Sequence, residues 1–139
     1  MKSLHKIGLT AVIAVTVILS SCGKYEDGPK MSLASKKSRI VNSWKLDKVI
    51  WNGIDQPISG WTFVYDIKKD GSFTSSSTYA VVSFSGTGTW EFSGDKESLI
   101  TTYTGSTPTT VKITRLKTKE LWTKETIGTD VQEHHYVKN

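Results

Sequence analysis

A single cysteine, Cys22, occurs in the 139-residue chain. No internal disulfide can form, so a fold built here must be held by packing alone. Long hydrophobic runs are missing too. The one oily stretch, Ile7 to Leu19, falls short of the roughly 20 apolar residues a helix needs to cross a bilayer. Catalytic signatures are lacking: there is no Gly-x-Ser-x-Gly elbow, phosphate loop or His-Glu zinc motif. Asp66 with Asp70, and Glu120 with Glu125, are acid pairs in short strands and turns. Their spacing gives no reason to converge, and they are read as solvated faces. The chain is therefore expected not to be an enzyme. Histidine is scarce, and two of the three lie adjacent at His134 and His135. Neighbours in a strand point to opposite faces, so these two cannot chelate one ion; neither a metal nor another cofactor is expected. The excess of 18 basic over 13 acidic residues is mild and spread along the chain, which argues against a nucleic-acid partner. No internal repeat is visible.

What is present begins with an address. Lys2 and Lys6 precede the oily run, a charge pattern and length suited to a signal peptide over residues 1–21. Leu19-Ser20-Ser21-Cys22 resembles the bacterial lipobox. That resemblance implies cleavage before Cys22 and attachment of diacylglycerol to its sulfur, with acylation (palmitate or a similar chain) of the new amine. Each buried CH₂ of such an anchor contributes about 0.8 kcal/mol, and stable attachment takes more than one chain. Residues 22–39 read as a tether. Gly23 to Lys30 is a charged linker, and Lys24-Tyr25-Glu26-Asp27 resembles the surface-export signal of Bacteroidota lipoproteins. An outer-membrane lipoprotein is expected, at the cell surface rather than facing the periplasm. Ser32 to Val41 is expected to form a short helix capped by Ser32. Its basic residues Lys36, Lys37 and Arg39 suit either an anionic membrane surface or a solvated face closing one end of the domain; the second is the reading adopted.

Residues 40–139 form the domain and look all-β, rich in Thr, Ser, Val, Ile and aromatics, with recurrent Gly-bearing turns. Strands are expected at Trp44 to Trp51, Trp61 to Ile67, Phe73 to Val82, Phe84 to Phe92, Leu99 to Tyr103, Val111 to Leu116, Leu121 to Ile127 and Val131 to Val137. Asn52-Gly53 and Asp70-Gly71 are hairpin signals, and Gln56 to Gly60 is a longer loop. Gly86 and Gly88 fall on the same stripe as Phe84, Trp90 and Phe92, as a strand bending at a barrel corner would need. Eight short strands in succession suit an eight-stranded antiparallel up-and-down barrel, which leaves no open edge. A two-sheet sandwich is the competing architecture.

Four segments carry a further resemblance: Asn42 to Leu46, Lys69 to Phe73, Gly88 to Phe92 and Ile113 to Leu121. In this order the chain resembles the lipocalin-like domain of small Bacteroidota outer-membrane lipoproteins. The resemblance implies a lipocalin-like barrel without enzymatic activity. It also implies that Trp44 plugs the closed end.

Trp61, Phe63, Tyr65, Phe73, Tyr79, Trp90, Phe92 and Tyr103 are the aromatic candidates to line a cavity. Eight strands enclose an interior that side chains fill or that holds one small ligand, so the set is either core or cup. Tyr65, Tyr79 and Tyr103 stand out because a buried phenol needs a polar partner. Arg115 shares strand parity with Val111 and Ile113; it either reaches solvent at the strand end or faces inward to bind a carboxylate. The expected function is a lipid-anchored, non-enzymatic module binding a small hydrophobic or amphipathic ligand. The alternative is an accessory lipoprotein that docks a membrane-protein partner through outer-face Trp51 and Trp122.

Overall fold

A computed structural model describes residues 34–139. The signal peptide, the lipobox with Cys22, the Lys24 to Asp27 segment and Ser32 lie outside the described residues. The first element is a single helical turn, α1 (Lys36–Ile40). It is shorter than expected. The side chain of Ser35, not Ser32, caps it by accepting from the Ser38 amide at 3.1 Å.

Nine antiparallel strands follow: β1 (Ser43–Trp51), β2 (Ile54–Gln56), β3 (Trp61–Ile67), β4 (Ser72–Tyr79), β5 (Val82–Phe92), β6 (Ser98–Tyr103), β7 (Thr109–Leu116), β8 (Glu120–Ile127) and β9 (Asp130–Lys138). Each strand from β3 onward pairs with the next, and β1 pairs with both β3 and β9. The result is a closed eight-stranded up-and-down barrel, with β2 as an extra strand. The expected barrel is therefore the observed architecture, and the sandwich is not. Closure removes the free edges that an open sheet would present.

Strand β2 adds to the eight expected strands, and of its residues only Gln56 falls in the expected loop. Ile54 to Gln56 folds back through Asn52-Gly53, both at positive φ, and pairs with Val49 to Trp51. It continues the edge along which β3 pairs only with Ser43 to Lys45. The β4–β5 turn also differs. Tyr79 pairs with Val82, and Ala80 at positive φ makes a two-residue turn. Val81 is thus a turn tip, 96% exposed, rather than part of a strand.

Alternation of side chains across the wall places the core at one end. Trp44, Ile67, Phe73, Trp90, Leu99 and Leu116 are buried there with Ile40 of α1. Trp44 is fully buried, and its indole donates to the Ile40 carbonyl at 2.8 Å. The indole of Trp90 likewise donates to the Lys68 carbonyl in the β3–β4 turn at 2.8 Å. Helix α1 and these two tryptophans close this end. The other end is open.

Two single-residue slips interrupt the alternation. Asp47 is an extra residue in β1 against β9, and Thr114 an extra residue in β7 against β8. Each such bulge moves the residues beyond it to the opposite face.

Candidate functional site

Between the packed end and the mouth lies a cavity of about 380 Å³. Its floor is Trp44, Ile67, Leu99 and Leu121, and its walls carry Leu46, Val49, Phe63 and Val111. An eight-stranded barrel is just wide enough to leave such a space when the inward stripes are not all large. Here threonine lightens three of them, at Thr101, Thr109 and Thr123.

Of the expected aromatic set, Trp61, Phe63, Tyr65 and Tyr103 line the cavity. Trp61 stands at the mouth, 53% exposed, with its indole N–H donated to Ser77 Oγ at 2.7 Å. Phe73 and Trp90 belong to the packed end, and Phe92 packs edge-on against Trp90 with centroids 5.7 Å apart. Tyr79 ends β4 at the open rim and is 61% exposed. These four do not line the cavity.

Tyr65 and Tyr103 meet across the barrel. Their hydroxyls are 2.9 Å apart, and Tyr103 donates onward to Ser75 Oγ at 3.2 Å. Tyr65 therefore donates to Tyr103, and the polar partners those phenols require come from the wall itself. Burial first, and then the hydrogen bond with Tyr103, hold the Tyr65 phenol well above its ordinary pKa. The close approach depends on glycine. A Cβ on Gly86 would stand 2.7 Å from the Tyr103 ring, and one on Gly88 would stand 2.8 Å from the Phe73 ring and would collide with the Thr102 carbonyl oxygen. The two glycines expected to bend β5 thus also make room for two inward rings.

Arg115 is not in the cavity. The extra residue at Thr114 turns it outward and puts Leu116 in the core. On the outer face its Nε donates to Glu120 Oε2 at 2.6 Å, and its guanidinium lies 4.3 Å from the Trp122 ring centroid. On the other flank of Trp122, the His135 ring stacks at 4.0 Å, nearly parallel. The row Arg115, Trp122, His135 runs across β7, β8 and β9 in register. The slip at Asp47 has the converse effect on β1: Val49 lines the cavity, and Trp51 pairs with the lining residue Gln132. Trp51 and Trp122 accordingly do not form one outer patch.

The lining residues outside the expected set include four with polar groups from two neighbouring strands: Glu125, Gln132, His134 and Tyr136. They come from β8 and β9, and Glu125 sits directly opposite Gln132. The signal that could have found them is plain alternation with Leu121 and Thr123. His134 and His135 take opposite faces, with only His134 inside. Burial lowers the His134 pKa; the nearby Glu125 opposes the shift and His135 adds to it. Burial likewise raises the Tyr136 phenol well above its usual value. The site is thus an apolar cup, partly walled by aromatic rings, with a few polar groups near its opening, the usual composition of a small-molecule pocket. Among the described residues no cluster of three or more His, Cys, Asp or Glu is arranged to hold a metal ion.

No protein-family model matches the chain, and no curated protein is significantly similar to it.

Proposed function

We propose that this protein is a non-enzymatic binding module that takes one small hydrophobic or amphipathic molecule into the barrel. The observation that carries the reading is the cavity of about 380 Å³ between the Trp44 floor and the open rim. At about 30 Å³ per water-sized group, it holds roughly a dozen heavy atoms. The aromatic walls supply dispersion contacts and the phenol pair supplies rigidity, since its hydroxyls are already satisfied. Nothing in the arrangement aligns a nucleophile with a base, so binding rather than turnover accounts for it best.

Lipid attachment at Cys22, outer-membrane location at the cell surface and kinship with lipocalin-like lipoproteins complete the proposal. They rest on the residues of the leader and on the four segments in Asn42 to Leu121. A polarity-sensitive fluorescent probe small enough for the cup, 1-naphthylamine, tests the binding part. The wild-type protein should enhance its emission saturably, and Val49→Trp, which fills the cup, should weaken binding at least tenfold without altering the far-UV circular dichroism. Equal binding by the filled variant would overturn the cavity as the site. Labelled palmitate should enter wild-type protein in cells and not Cys22→Ser.

A further inference from the structure

Glu125 gives the cup a sign. It is the one carboxylate among the lining residues, and no lysine or arginine lines the cavity. Among the described residues the Glu125 side chain has neither an ion pair nor a hydrogen bond, though its backbone pairs with Gln132. Its side chain shares a face with Leu121 and Thr123, both buried and both lining the cavity. Its charge is felt by His134 and Tyr136, which line the same space. His134, the one lining residue that could carry a positive charge, is held toward the neutral form by burial. The opposite residue, Gln132, offers a neutral amide. A carboxylate at the edge of an apolar cup, with no basic side chain lining the same space, attracts an incoming cation. Trp61, Phe63 and Tyr65 line the same cavity, and aromatic faces attract cations.

We propose that the ligand is an organic cation: an ammonium group held at Glu125 near the mouth, with an apolar or aromatic body on the floor. This assignment rests on the binding reading above and deepens it. It also runs against the protein's overall charge. The chain carries a formal +5, or +3 without Lys2 and Lys6 of the leader (16 basic against 13 acidic residues), so its long-range field favours anions, and a preference for an ammonium must come from the cup itself. Fatty acids and other carboxylates are excluded by the same carboxylate that attracts the amine.

Three ligands of the same length separate the possibilities: 4-phenylbutylamine, 4-phenylbutan-1-ol and 4-phenylbutyrate, titrated calorimetrically into the full-length protein at pH 7.5. The amine should bind about tenfold tighter than the alcohol, the effect of one ion pair in partly screened surroundings, and the acid weakest. Glu125→Gln should bring the amine down to the level of the alcohol and leave the alcohol unchanged, which also shows that the variant is folded. Gln132→Lys, placing a cation opposite Glu125, should abolish the preference by a second route. If the alcohol binds and the amine binds no tighter, or if Glu125→Gln keeps the preference, the cationic assignment is overturned while the cavity reading stands. If none of the three binds, both are overturned.

Discussion

Individual side chains set the size and the acid sensitivity of the cup. Gly88 has no room for a methyl group, since the Thr102 carbonyl oxygen and the Phe73 ring occupy its place. Gly88→Ala is expected to cost about 1–3 kcal/mol, as overpacking does, read from urea denaturation. At Gly86 the obstacles are side chains, the Tyr103 ring and the Ser75 hydroxyl, so the same substitution should cost less and disturb the phenol pair instead. Tyr65→Phe removes the donor to Tyr103 but leaves the Tyr103 bond to Ser75; a loss of about 1 kcal/mol is expected. His134 determines behaviour in acid. Its folded pKa lies below the ordinary value because burial disfavours the charged imidazolium. The unfolded chain therefore takes up a proton first. The contribution of neutral His134 is complete above about pH 6.5 and declines as pH falls below it. Melting temperatures measured from pH 8 to pH 5 should fall, and His134→Gln should flatten that part of the profile.

At the scale of elements, the seams of the barrel are unequal. β9 pairs with β1 along nearly its whole length and with β8 over eight residues, whereas β3 meets β1 at three. Hydrogen exchange should find the slowest amides in β8, β9 and β1, and the fastest in β2 and the Tyr79–Val82 turn. A uniform protection pattern would contradict this ranking. The same elements explain what could be read from the sequence. Trp61 to Ile67 shows clean apolar alternation and its bounds are those of β3. Ile54 to Gln56 is too short to show a period, so β2 was not visible. The slips at Asp47 and Thr114 were invisible for another reason. Counting by twos assumes an unbroken ladder, and beyond each slip the count names the wrong face. Arg115 thereby left the expected cavity set, and Val49 was missed from it. Cavity residues from β8 and β9 were missed because polar side chains on an inward stripe look like a solvated face. Helix α1 lies where expected, but Ser32 and Ser35 are both acceptable caps, and sequence alone does not choose between them.

For the whole molecule, the two ends differ. The packed end depends on Trp44 under α1, and Trp44→Ala should cost about 3–5 kcal/mol, as loss of a buried indole does, seen as a large drop in the denaturant midpoint. The open end carries exposed Ile54, Trp61, Tyr79, Val82, Phe84 and Ile127, and its turns at 52–53, 80–81, 104–108 and 128–129 contain no lysine or arginine. Lys37, Lys68, Lys69, Lys117 and Lys119 lie instead at or beside α1 and the packed-end turns. The polypeptide enters the domain through α1, against the plugged floor. Whatever holds the preceding residues therefore grips the vessel by its foot. The mouth thus lies at the end opposite the chain's entry, and under the proposed anchoring at Cys22 such a goblet would fill from the surrounding medium rather than from the acyl tails.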